Sequence, residues 1–232
     1  MRLRSPILTI FIVIALFQIF IGSGRFNEIL NHPLAFVFLL LAILIALVMH
    51  EFFHAWTADR LGDPNPRLAG RVSLNPFRHL DPWGTLLIIL TGFGWGKPVQ
   101  FDAYNLKDPV KDGALIAAAG PSSNLLLALL VALVLRFFPL DGNIYFLSFL
   151  VTLFSVNLSL GVFNLLPIYP LDGHHILRAF LPESLCDSYD SFNKHWGMIV
   201  AFLFILPIFG TAPVNYVLVP AINFLQKLFL GI

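Results

Sequence analysis

Two imidazoles and a carboxylate fall within five residues at His50-Glu51-Phe52-Phe53-His54, directly after a charge-free apolar run over 33–49. On a helix, positions i and i+4 lie one turn apart on the same face, so His50 and His54 can grip a single metal ion. Glu51 falls beside them, where a carboxylate can take a proton from a metal-activated water. Histidine is scarce in the chain, 7 of 232 residues, and glutamate scarcer, at Glu28, Glu51 and Glu183 only. Burying such groups in an apolar helix without partners is costly. The pentapeptide therefore reads as a zinc-hydrolase centre within a membrane, in preference to a helix end with interfacial polar residues.

A catalytic zinc site usually takes three protein ligands and keeps one open position. Six residues after His54, where a metzincin places its third ligand, stands Arg60. Asp59 and Asp63 follow the helix and fit no usable spacing, while Glu183, His174 and His175 stay open on chemistry alone. The best-placed candidate is Asp172, in Phe163-Asn164-Leu165-Leu166-Pro167-Ile168-Tyr169-Pro170-Leu171-Asp172-Gly173. The span before it returns to the depth of His50 and His54, and Pro167 and Pro170 break the helix there. The competing reading of Asp172-Gly173 is an ordinary turn.

The elements that must position these groups are apolar helices. With 58% hydrophobic residues, 12% charged residues and a mean hydropathy of +0.83, the chain is an integral membrane protein. A net charge of +1 gives no reason to invoke nucleic acid, and the lone Cys186 excludes an intramolecular disulfide and a cysteine-based zinc site. Spans are predicted at about 6–22, 34–56, 114–136 and 144–166, with a charge-free stretch over 196–226 that Gly210-Thr211-Ala212-Pro213 divides. Arg2 and Arg4 precede a first apolar run of about twenty residues, read as a retained helix because it is long enough to span and shows no cleavage site.

The expected fold is all-α and polytopic, with six transmembrane helices preferred over five, forming a single membrane-embedded domain over 1–232 with its core at 34–180. The segment 83–95 is too short in its apolar part to cross and is punctuated by glycines. Arg71-Val72-Ser73-Leu74 and Lys97-Pro98-Val99-Gln100-Phe101 flank it and look like short strands. Together they predict a small membrane-associated β-hairpin or re-entrant loop.

Charge sets the orientation. The loop 57–113 carries Arg60, Arg67, Arg71, Arg78, Lys97, Lys107 and Lys111. Placing it with Arg2, Arg4, Arg178, Lys194 and Lys227 leaves only Arg25 and Arg136 opposite. The positive-inside rule then puts the N-terminus and the active-site side in the cytoplasm, in the cell membrane.

At these residues the chain resembles the site-2 protease family of intramembrane zinc metalloproteases. The resemblance is carried by His50-Glu51-x-x-His54 and by the run from Asn164 to Asp172-Gly173. Gly70-Arg71-Val72-Ser73-Leu74-Asn75-Pro76, the glycine-rich stretch before Lys97-Pro98-Val99, and Ala119-Gly120-Pro121-Ser122-Ser123-Asn124 match as well. It implies one Zn2+ per chain on His50, His54 and Asp172, with Glu51 as catalytic acid/base. It further implies that Asn164 holds the substrate backbone or stabilises the tetrahedral intermediate. The glycine-rich hairpin, with Gly94 and Gly96, would receive an unwound substrate segment as an added strand. Pro121 and Asn124 are expected to shape packing in the third span in preference to touching substrate. Many relatives carry a PDZ or CBS domain, for which this chain has no room, and His174 and His175 depart from the small residues usual after the Asp-Gly pair. They are placed at the interface, with a tuning role or a second metal as alternatives.

The expected partners are a transmembrane protein substrate and the lipid bilayer. The rival readings are a membrane metal-ion transporter and an inactive substrate-binding relative. Almost wholly apolar outer span halves argue against the transporter. The sequence names neither the substrate nor the oligomeric state.

Overall fold

The computed structural model describes residues 25–91, 94–138, 142–206 and 211–231. The predicted first span at 6–22 lies outside them. The described residues are mostly helical.

After a short helix α1 (Arg25–Asn31), Pro33 starts the long helix α2 (Pro33–Leu61), where its missing N–H costs nothing. Gly62 ends α2 in the left-handed conformation, at φ 115°, and its N–H caps the carbonyls of Ala58 and Asp59. The single-turn α3 (Asn65–Leu68) and the ten-residue α4 (Pro82–Thr91) follow. The second long helix, α5 (Pro109–Phe137), opens on an Asp108 cap that accepts from Lys111 N at 3.1 Å. The third, α6 (Ile144–Asn164), opens on Asn143, which accepts from the backbone of Tyr145 and Phe146. Then come α7 (Asp172–Phe180), α8 (Glu183–Phe192), α9 (Met198–Ile205) and α10 (Asn215–Leu230).

Helices α2, α5 and α6 pack mutually, around Ala42, Ala128, Ala132, Phe154 and Leu158. The small residues let the backbones approach, the usual route to tight helix packing where lipid offers no hydrophobic drive. Their outer faces remain apolar, with Val37, Leu41, Leu126, Leu130 and Val151 exposed, as lipid contact requires. All three are long and apolar enough to cross a membrane, and they coincide with the predicted spans at 34–56, 114–136 and 144–166.

Two expectations change. The stretch 196–226 divides near Thr211: before it one continuous helix runs from Glu183 through a π turn at Asn193–Gly197 to Ile205, so that α8 and α9 are parts of a single rod, and after it comes α10 of 16 residues. Moreover Gly231, just past α10, lies against the Arg136 guanidinium, so close that a Cβ there would sit 2.4 Å from Nη1. Helix α10 therefore ends at the same end of the bundle as α5, and Lys227 sits with Arg136 instead of opposite it.

The expected hairpin is not a sheet. Among the described residues the pairing is one isolated antiparallel bridge, Leu80 with Gly96, beside a Lys97 N–H donated to the His79 carbonyl at 2.7 Å. Pro98 has no N–H to continue the ladder on one side, and Pro82 begins α4 on the other. Helix α4, about 15 Å long, is too short to cross.

Candidate metal centre

Helix α2 places His50 and His54 on its buried face, one turn apart. The chain leaves α6 at Asn164, turns through Pro167 and Pro170, and returns Asp172 at the start of α7. Gly173 permits that turn, because a Cβ there would lie 2.3 Å from the Leu165 carbonyl oxygen. From the other side Tyr189 donates to the Pro167 carbonyl at 2.9 Å, and Asn193 accepts the Tyr169 N–H at 2.9 Å.

These elements bring three ligand atoms together. His50 Nε2 lies 3.0 Å from His54 Nε2, and Asp172 Oδ2 lies 3.1 Å and 3.3 Å from the two. Among the described residues this is the one His/Cys/Asp/Glu group of three that converges on a point.

The partners of the other ring nitrogens fix the protons. The Ile116 carbonyl can only accept, so His54 Nδ1, 2.7 Å away, carries hydrogen. Asn124 Nδ2 donates to Ala46 O at 2.9 Å and to Asn157 Oδ1 at 3.0 Å, which leaves Asn124 Oδ1 to accept from His50 Nδ1 at 2.7 Å. Both Nε2 lone pairs then point at each other and at Asp172 Oδ2, a buried oxygen with no hydrogen-bond donor. A proton would relieve one pair of these acceptors. A metal ion relieves all three. A tetrahedral ion with bonds of about 2.0–2.1 Å sets its ligand atoms roughly 3.3 Å apart, close to the separations found.

Glu51 does not join the cluster. Its Oε2 accepts the Val99 N–H at 3.1 Å and stands 3.6 Å from Arg71 Nη2. Asn164, at the end of α6, donates from Nδ2 to the Leu160 carbonyl at 3.0 Å. Gly94 and Gly96 are close-packing positions: a Cβ on Gly94 would meet the Gly84 carbonyl oxygen at 2.1 Å, and one on Gly96 would meet Leu47 at 2.8 Å. Neither His174 nor His175 joins the cluster. His174 is buried, with its ring stacked on Tyr189 at 5.1 Å, and burial pushes its imidazole below the ordinary histidine range.

Two residues gain roles that sequence reasoning missed. Asn124, expected to shape packing instead of touching substrate, is fully buried and holds a ring of the cluster, and the sequence signal was an amide within an apolar helix. Gly120 faces the same pair, since a Cβ there would lie 2.3 Å from His54 Nε2. Without the tertiary contact it reads as one more small residue in a span.

A convergent His-His-Asp cluster within a bundle of membrane-length apolar helices defines an integral membrane protein with a built metal centre. The chain belongs to peptidase family M50, whose model matches residues 38–141 and 140–208. The protein YwhC of Bacillus subtilis, named as a proposed zinc metalloprotease, is 34% identical over 205 residues, covering 85% of this chain and 91% of its own length. The Rip2 protein of Mycolicibacterium smegmatis, named in the same way, is 32% identical over 186 residues, or 77% of this chain and 70% of Rip2. Zinc metalloprotease MJ0392 of Methanocaldococcus jannaschii is 27% identical over 157 residues, 67% of this chain and 38% of that protein. No solved structure matches the chain.

Proposed function

We propose that this chain is an intramembrane zinc endopeptidase of the His-Glu-x-x-His type, which hydrolyses a peptide bond in or near a transmembrane segment of another membrane protein. The observation that carries this reading is the convergence of three acceptor atoms, 3.0–3.3 Å apart, with both Nδ1 protons committed elsewhere. Family membership and the names of the relatives support zinc as the ion. His50, His54 and Asp172 would hold one Zn2+ per chain. Bound there, zinc supplies Lewis-acid chemistry, acidifying a water and polarising the scissile carbonyl.

The remaining steps belong to side chains. Glu51 takes the proton of the attacking water and passes it to the leaving amine. Both described contacts of its carboxylate are made by Oε2, which leaves Oε1 for that transfer. Asn164 has a second amide proton beyond the one donated to Leu160, suited to a developing oxyanion or to the substrate backbone. Gly94 and Gly96 keep the chain around 94–99 close to α4 and α2, where a substrate unwound from its helix would find main-chain partners.

The domain is read as single, with its core at 34–180. The membrane topology has five spans. With the N-terminus and the basic loop 57–113 in the cytoplasm, α2 runs inward, α5 outward and α6 inward. Helices α9 and α10 then make one net outward crossing, because α10 ends beside Arg136. The metal cluster lies within the membrane, towards its cytoplasmic face, and water reaches it from there.

The test is cleavage of single-span peptides by purified protein in liposomes, with zinc content measured alongside. Glu51→Gln is expected to abolish cleavage while keeping one zinc per chain, and chelation to abolish both. Cleavage that survives Glu51→Gln would remove Glu51 from the mechanism.

A further inference from the structure

Arg71 stands outside the metal ligands, yet it is only 5% exposed and its guanidinium joins three pieces of chain. Nη1 donates to the Arg78 carbonyl and Nη2 to the Lys97 carbonyl. Nη2 also lies 3.6 Å from Glu51 Oε2, the same oxygen that accepts the Val99 N–H. Between these contacts fall the Leu80–Gly96 bridge and the Lys97 N–H bond to His79. One side chain therefore ties residues 78–80 to 96–99, and ties both to Glu51.

Stability is a poor reason for such a residue. Desolvating a guanidinium and a carboxylate costs on the order of what their attraction returns, and apolar replacements of buried ion pairs are often neutral or stabilising. An apolar side chain cannot supply direction. The planar fork of arginine aims several donors at fixed angles, which lysine, a point charge on a flexible stem, does not reproduce.

We infer that Arg71 is a positioning residue for the proteolytic reaction, fixing the Glu51 carboxylate and the 97–99 main chain in one register so that a substrate laid along that segment meets the base at a set distance. This rests on the role proposed for Glu51. Arg71 has no described contact with His50, His54 or Asp172; it meets the Glu51 carboxylate on Oε2, the oxygen already held by Val99 N–H, and acts through Glu51 and the 97–99 main chain.

The experiment compares wild type, Arg71→Ala and Arg71→Lys in liposomes. It measures kcat, KM and zinc content, together with hydrogen exchange of the Val99 amide in substrate-free protein. For Arg71→Ala, kcat is expected to fall about 100-fold, the scale of a misplaced catalytic group, with KM and zinc content near wild type. Val99 exchange should rise about tenfold or more while α2 and α5 stay protected. Arg71→Lys should recover part of kcat. Wild-type kcat in Arg71→Ala would overturn the inference, as would loss of zinc with deprotection throughout the bundle, which marks a purely structural role. If Arg71→Ala does not fold, Arg71→Lys decides: an intermediate kcat with full zinc supports positioning, and an unchanged kcat refutes it. The exchange measurement needs no substrate, so it reads the clasp separately. Failure of the Glu51 assignment would appear instead as activity in Glu51→Gln.

Discussion

Asn124 never faces the metal position, yet it fixes the tautomer of His50 and links three helices. Its Oδ1 accepts from His50 Nδ1, and its Nδ2 donates to Ala46 on α2 and Asn157 on α6. Asn157 is anchored in turn by donating to the Leu153 carbonyl at 2.9 Å. Partners of this kind orient a ligating imidazole and raise its basicity, and their loss typically weakens metal binding 10–100-fold. Asn124→Ala is expected to weaken zinc binding by about that factor, read by competition with a chromogenic chelator. Unchanged affinity would show that the helix alone orients His50. The pentapeptide was legible because its chemistry is local, whereas the bond from Asn124 spans 74 residues and leaves no periodic trace.

At the scale of elements, the site depends on how closely α5 can approach α2. Gly120 faces the two imidazole rings of the cluster, and a Cβ there would stand 2.3 Å from His54 Nε2 and 2.8 Å from His50 Cε1. Alanine is the better helix former by about 1 kcal/mol, so Gly120→Ala should leave α5 itself intact. The damage falls on the cluster. Bound zinc is expected to drop below about a tenth of wild type with helix content by circular dichroism unchanged. Gly113→Ala, two turns earlier, is the control. Its added Cβ would meet nothing closer than Phe101 at 4.0 Å, and zinc content should hold. Zinc retained in Gly120→Ala would mean that the helices part without cost.

For the whole molecule, the direction of α10 decides the topology. Charge counting alone assigned Lys227 to the cytoplasm, a rule that works statistically over loops near span ends. The packing of Gly231 on Arg136 instead sets the end of α10 beside the end of α5. A reporter fused after Ile232 should therefore report the outer side of the membrane, as five spans require. A cytoplasmic signal would restore six.

The sequence by itself determined the membrane class, the three long helices, the one-face pairing of His50 with His54 and the return of Asp172 to their depth. Each follows from local properties: apolar length, i and i+4 spacing, and prolines that end a helix. Tertiary structure alone decided that Asp172 Oδ2 closes to 3.1 Å and 3.3 Å on the two imidazoles, that Asn124 and Gly120 serve the cluster, and that Arg71 reaches Glu51. It also decided that the described pairing near the predicted strands is a single bridge outside them, Leu80 with Gly96, and that α10 ends beside Arg136. The reason is the same in each case. Such contacts join residues far apart in the chain and depend on the separation and direction of whole helices, which backbone packing sets and no run of neighbouring residues encodes.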